Sequence, residues 1–94
     1  MNSLPPLELL ESTHSFPGVY TFKAIGKVEE GFVARVLAAV RDALEMRTDC
    51  PFREHHTPNG RYVSVTLEPE LQKAEQVLQV YEKLKDVPGL VMFM

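Results

Sequence analysis

Tryptophan is absent from this 94-residue chain, cysteine occurs once, and no apolar run approaches the length of a membrane span. A single thiol, Cys50, rules out an intramolecular disulfide, and with it the stapled architecture of small secreted domains. The first residues lack the basic segment and long apolar stretch of a secretory signal, so the expectation is a soluble cytoplasmic protein. A basic excess is also missing. Ten Lys and Arg stand against 13 Asp and Glu, for a formal net charge of −3. Sequence-independent nucleic-acid binders carry a basic footprint, so nucleic acid is not the expected partner.

The usual chemistry-bearing motifs are missing as well. Cys50, His14, His55 and His56 show no C-x-x-C or H-x-x-x-H spacing, and on an extended strand His55 and His56 point to opposite sides. No metal or other cofactor is expected. Cys50 with His55 offers a nucleophile and a base, yet no oxyanion-hole loop or orienting third residue is discernible. Glu68, Glu70 and Glu75 sit at the expected start of a helix, where compensation of the helix dipole accounts for them. Gly26 and Gly31 stand alone, and Gly18 precedes the strand that a phosphate-cradling loop would follow. The chain reads as a non-enzyme.

What is present is a well-punctuated α+β pattern. Hydrophobic residues make up 45% and charged residues 24%, the balance of a globular chain. Residues 1–18 read as a partly ordered leader, with a helical turn over Leu7 to Glu11. Four leucines in that leader imply that it docks, and the face left open by the helices is one expected place. Val19 to Ile25 alternates as a strand, ended by Gly26. Glu30 to Met46 is helical by period, with Val33, Val36, Leu37, Val40 and Leu44 in the apolar stripe and Phe32 beside it.

Pro51 forbids continuation of that helix, and Phe52 to Thr57 reads as a polar edge strand. Pro58-Asn59-Gly60 has the chemistry of a type I turn closed by a glycine bulge, and Arg61 to Leu67 is the return strand. Pro69 suits the first turn of a second helix, whose stripe is Leu71, Ala74, Val77, Leu78, Tyr81 and Leu84. Pro88-Gly89 breaks it, and Leu90 to Met94 forms an uncharged last strand.

The order β-α-β-β-α-β over residues 19–94 is the split βαβ or ferredoxin-like pattern: a four-stranded antiparallel sheet with two helices on one face. Tyr20, Phe22 and Ala24, with Val63 and Val65, have core parity. Thr21, Lys23, Ile25, Tyr62, Ser64 and Thr66 fall on the open face. That row could hydrogen-bond an anionic or polar small ligand; Thr, Ser, Lys and Tyr are also ordinary occupants of a solvated antiparallel face. An exposed apolar last strand is an aggregation hazard, so either the leader or a second subunit in a homodimer is expected to cover it. The order also builds RNA-recognition domains, but the central strands lack the paired stacking aromatics.

The blocks Phe16-Pro17, Tyr20-Thr21-Phe22-Lys23 and Gly26 resemble those of the YbeD-like family of small bacterial proteins. Gly60, Tyr62, Ser64 and Val65 continue the match, as do Glu75-Gln76, Tyr81 and Leu84, so the resemblance spans Leu9 to Met94. It implies a ferredoxin-like fold similar to the ACT regulatory domains that bind amino acids, with no established enzyme activity. Family members often lie beside lipoate-attachment genes. ACT domains bind effectors near the loop after the first strand, which here is Gly26, Lys27 and Val28.

Two functions follow from this reading. One is a regulatory, small-molecule-sensing module for an amino acid or lipoate-related metabolite, and the other is an adaptor that binds a protein partner through an edge strand or the open face. RNA binding and a small enzyme rank below both. The candidate ligand- or partner-binding residues are Lys23, Gly26, Tyr62, Ser64, Glu75 and Gln76.

Overall fold

Helix α2 (Phe32–Leu44) shows how directly the apolar period becomes packing. Phe32, Val36, Leu37 and Val40 repeat at three- and four-residue spacing, and all four are buried. In the computed structural model, which describes residues 4–94, α2 lies among three helices and six strands. The others in chain order are α1 (Leu7–Thr13), β1 (Gly18–Val19), β2 (Phe22–Lys27), β3 (Phe52–His56), β4 (Tyr62–Leu67), β5 (Glu70–Leu71), α3 (Glu75–Leu84) and β6 (Leu90–Phe93). The expected leader's first three residues lie outside the described range.

Helix α2 ends in a Schellman arrangement. Met46 N–H donates to the Arg41 carbonyl (2.9 Å) and Glu45 N–H to that of Asp42 (3.4 Å), with Glu45 in the left-handed region at φ 54°. The break therefore comes before Pro51. Helix α3 buries Val77, Val80, Tyr81 and Leu84 along its own stripe.

Four strands pair antiparallel in the order β3-β4-β2-β6. Phe22 faces Leu67, Ala24 faces Val65 and Gly26 faces Val63, and all six residues are buried on the side that carries the helices. The α+β class and the antiparallel pairing are those expected, and the strand order is consistent with a ferredoxin-like fold. The chain adds a third helix and a separate two-stranded sheet in which Gly18 faces Leu71 and Val19 faces Glu70.

That small sheet corrects two sequence boundaries. The expected strand from Val19 to Ile25 is split: Val19 pairs with β5, the chain shifts at Tyr20-Thr21, and β2 begins at Phe22. Tyr20 N–H donates to the Pro69 carbonyl (3.0 Å), which ties the shift in place. Pro69 consequently stands in an extended segment, not at a helix start, and α3 begins six residues later. Nor does Gly26 end the first strand, which runs on to Lys27.

The leader docks on the helix side, not over the open face. Leu10 is buried in the main core, with Leu4, Leu7 and Phe16 packed against that core. Val91, Met92 and Met94 remain 49%, 41% and 55% exposed, so the described leader leaves the last strand uncovered. The reason is a better apolar partner: Leu10 joins a cluster that already contains Phe22, Leu71, Ala74 and Val77.

Candidate functional site

Strand register determines which side chains share the open face. Arg53, Thr66, Lys23 and Met94 lie side by side in one row across the sheet. His55, Ser64, Ile25 and Met92 form the next, and Tyr62 beside Lys27 forms a third. This face holds the cations of two strands, Lys23 and Lys27 of β2 and Arg53 of β3. Glu68, at the end of β4, holds Arg53 in an ion pair of 2.6 Å. Among the described residues neither Lys23 nor Lys27 has an ion-pair partner, although five of the chain's other Lys and Arg residues do.

At the Lys27 end the face runs into a shallow cleft of about 300 Å³ lined by Lys27, Val28, Gly60, Arg61 and Tyr62. Its two walls come from distant parts of the chain. One is the exit of β2, where Val28 N–H donates to the Arg61 carbonyl (2.9 Å). The other is the β3–β4 hairpin. There Gly60 takes φ 72° and donates its N–H to the Thr57 carbonyl (2.9 Å), while Arg61 N–H donates to Asn59 Oδ1 (3.0 Å). Tyr62 N–H donates to Thr57 Oγ1 (3.1 Å), so the hairpin that presents Arg61 and Tyr62 is braced from both strands. The lining has two cations, one phenol and no carboxylate. It can accept an anionic group flanked by an apolar or aromatic-compatible body.

The six residues singled out from sequence separate into three places. Lys23 and Ser64, both half-buried, and exposed Tyr62 share the open face. Gly26 does not join them. It is buried on the opposite side, and a Cβ there would run into the Phe32 ring and meet the Gly89 carbonyl oxygen at 2.7 Å. Close approach of α2 explains this glycine. Glu75 and Gln76 begin α3, on the helix side. Gln76 Oε1 accepts the backbone N–H groups of Gln72 (2.6 Å) and Lys73 (3.3 Å), bracing the turn before the helix.

Sequence reasoning missed Arg61 as a site residue and named Lys27 only as part of a loop. The signal for Arg61 was its position directly after the Gly60 turn. That Tyr62 stands opposite Lys27 is a matter of long-range register, which local alternation does not reveal. Cys50 is buried at 4% exposure, and burial pushes its thiol above the ordinary value, which disfavours the thiolate. His55 lies on the open face, whereas His56 turns the other way, with Nε2 at 3.4 Å from Glu54.

Together these features define a small α+β protein with antiparallel sheets and, on one sheet face, two lysines, Lys23 and Lys27, that have no ion-pair partner among the described residues. The chain belongs to the family described as proteins of unknown function, DUF493, which it matches over residues 11–94. It is 28% identical over 87 residues to a UPF0250 protein of Haemophilus ducreyi, a match covering 93% of this chain and 88% of the relative. A second UPF0250 protein, from Nitrosomonas europaea, is 27% identical over 84 residues, covering 89% and 97%. These relatives support the YbeD-like resemblance. No helix among the described residues is long and apolar enough to cross a membrane.

Proposed function

We propose that the chain is an ACT-like regulatory module, with α2 and α3 on one face of a ferredoxin-like sheet, and that it senses a small carboxylate. It acts by binding rather than by catalysis. One observation carries the reading: Lys27 and Arg61 converge with Tyr62 on a cleft that contains no carboxylate, and neither cation has an ion-pair partner among the described residues. Lys23 and Ser64 extend the same face toward the sheet centre. The ligand class is an amino acid or a lipoate-related acid, whose carboxylate would meet the cations while its body lies over Tyr62 and Val28. The cleft adjoins the loop after the first long strand, where ACT-like domains take their effectors.

Thermal unfolding in the presence of L-amino acids and of lipoate tests this. A ligand that binds only the folded chain at a hundred times its Kd adds about 2.7 kcal/mol of stability, a readily measured rise in Tm. The expected result is a saturable rise with one of these acids. Lys27→Ala and Arg61→Ala should abolish it without lowering the ligand-free Tm, and Lys23→Ala and Ser64→Ala should weaken it. No rise with any of the acids, or a rise unchanged in the cleft variants, would overturn the reading. The alternative function, an adaptor for a protein partner, is favoured by a different feature: the exposed apolar side chains of β6.

A further inference from the structure

The two edges of the main sheet are built in opposite ways. At one edge, β3 carries Arg53, Glu54, His55 and His56, is flanked by Pro51 and Pro58, and is exposed along its whole length. Charges and flanking prolines are the devices by which sheets discourage another strand from joining. At the other edge, β6 and the residue after it read Leu-Val-Met-Phe-Met, without charge or proline. Its inner side pairs with β2, and its outer backbone groups have no strand beside them among the described residues. Phe93 is turned into the core, while Val91, Met92 and Met94 remain exposed.

We propose that β6 pairs antiparallel with β6 of a second copy of this chain across a two-fold axis, joining two four-stranded sheets into one. A two-fold contact must be self-complementary: if residue i meets residue j, then j meets i. From Leu90 to Met94 every antiparallel register sets an apolar side chain against another, and none opposes like charges. The β3 edge lacks that property, since registers centred on Arg53 or Glu54 set like charges face to face. The open face supplies continuity. Ile25 and Met92 form one apolar row with Met94 alongside, and a second copy would continue that strip across the seam. Lys23 and Lys27 would flank it on both sides, leaving the clefts accessible. A pairing this short buries area at the low end for specific interfaces, so the dimer is weak and concentration-dependent.

The assignment is independent of the ligand reading and has its own test. Sedimentation velocity from low micromolar to near-millimolar concentration should show reversible self-association. Met92→Lys and Val91→Lys, at exposed positions, should weaken it by about tenfold or more with an unchanged melting profile. Phe52→Lys on the opposite edge should leave it intact. In a Cys50→Ala background, Met92→Cys or Val91→Cys should give a covalent dimer under mild oxidation, whereas His55→Cys should not. A chain that is monomeric throughout the range would overturn the proposal. So would a dimer indifferent to both lysine substitutions, or crosslinking at His55→Cys alone.

Discussion

Gly26 shows how far a single residue can be read without its surroundings. From sequence it lies in a loop that approaches a ligand; in the structure it lies within β2, roofed by the Phe32 ring. The glycine is legible as special in both cases, because something must come close to its backbone. What comes close is a side chain six residues onward, and sequence alone does not say which face that side chain takes. Gly26→Ala should therefore destabilise the fold by about 1–3 kcal/mol through overpacking against Phe32. Urea unfolding measures that loss, and a variant as stable as the parent would restore Gly26 to the list of ligand contacts. Tyr62 and Ser64 were readable because strict alternation from a well-marked turn assigns their face, and Lys23 because its own strand alternates. Arg61 was not, since its partnership with Lys27 depends on pairing between strands more than thirty residues apart.

At the level of elements, α2, β3, the hairpin and β4 emerge within a residue or two of their expected limits, because each has a strong period or a punctuating turn. The first strand and the start of α3 do not. Seven-residue α1 has no side-chain cap, and its stability comes from docking, above all through Leu10 at 3% exposure. Leu10→Ala should cost about 2–4 kcal/mol by cavity formation. Leu9→Ala, at 50% exposure on the same helix, should change stability by less than about 0.5 kcal/mol. Chemical denaturation of the pair separates a docked helix from a loose one. The Val19-to-Phe22 break was illegible for a related reason: Tyr20 and Thr21 have strand propensity, and only the Pro69 carbonyl reveals why the chain leaves one sheet for the other there.

Across the whole molecule, an aromatic chain runs from exposed His14 on the leader, through half-buried Tyr20, into the core and on to the last strand. The rings of His14 and Tyr20, Tyr20 and Phe22, Phe22 and Tyr81, and Tyr81 and Phe93 lie 4.8, 4.8, 5.3 and 5.0 Å apart in turn. Burial, and then the neighbouring Tyr20 hydroxyl, hold the Tyr81 phenol well above its ordinary value of 10.0. The unfolded chain loses that proton first as pH rises, so it binds fewer protons than the folded chain, and stability falls with pH above 10.0. Cys50, raised by burial from 9.0, starts the same decline earlier. Urea midpoints followed through this alkaline range should fall, and Tyr81→Phe should flatten the part above 10.0. An unaltered slope would show that the phenol is not held in its protonated form.

Arg35 spans two loops. Its Nη2 donates to Glu29 Oε1 (2.6 Å) and to the Pro88 carbonyl (3.1 Å), and its Nε donates to that same carbonyl (3.3 Å). Lys27 N–H adds a bond to the Gly89 carbonyl (3.1 Å). The segment that walls the cleft and the segment that launches β6 are thereby clasped into one mechanical unit. Thermodynamic reciprocity then applies: an occupant of the cleft that shifts this clasp would alter the grip of β6 on its neighbour, and that neighbour would alter the cleft's affinity by the same factor.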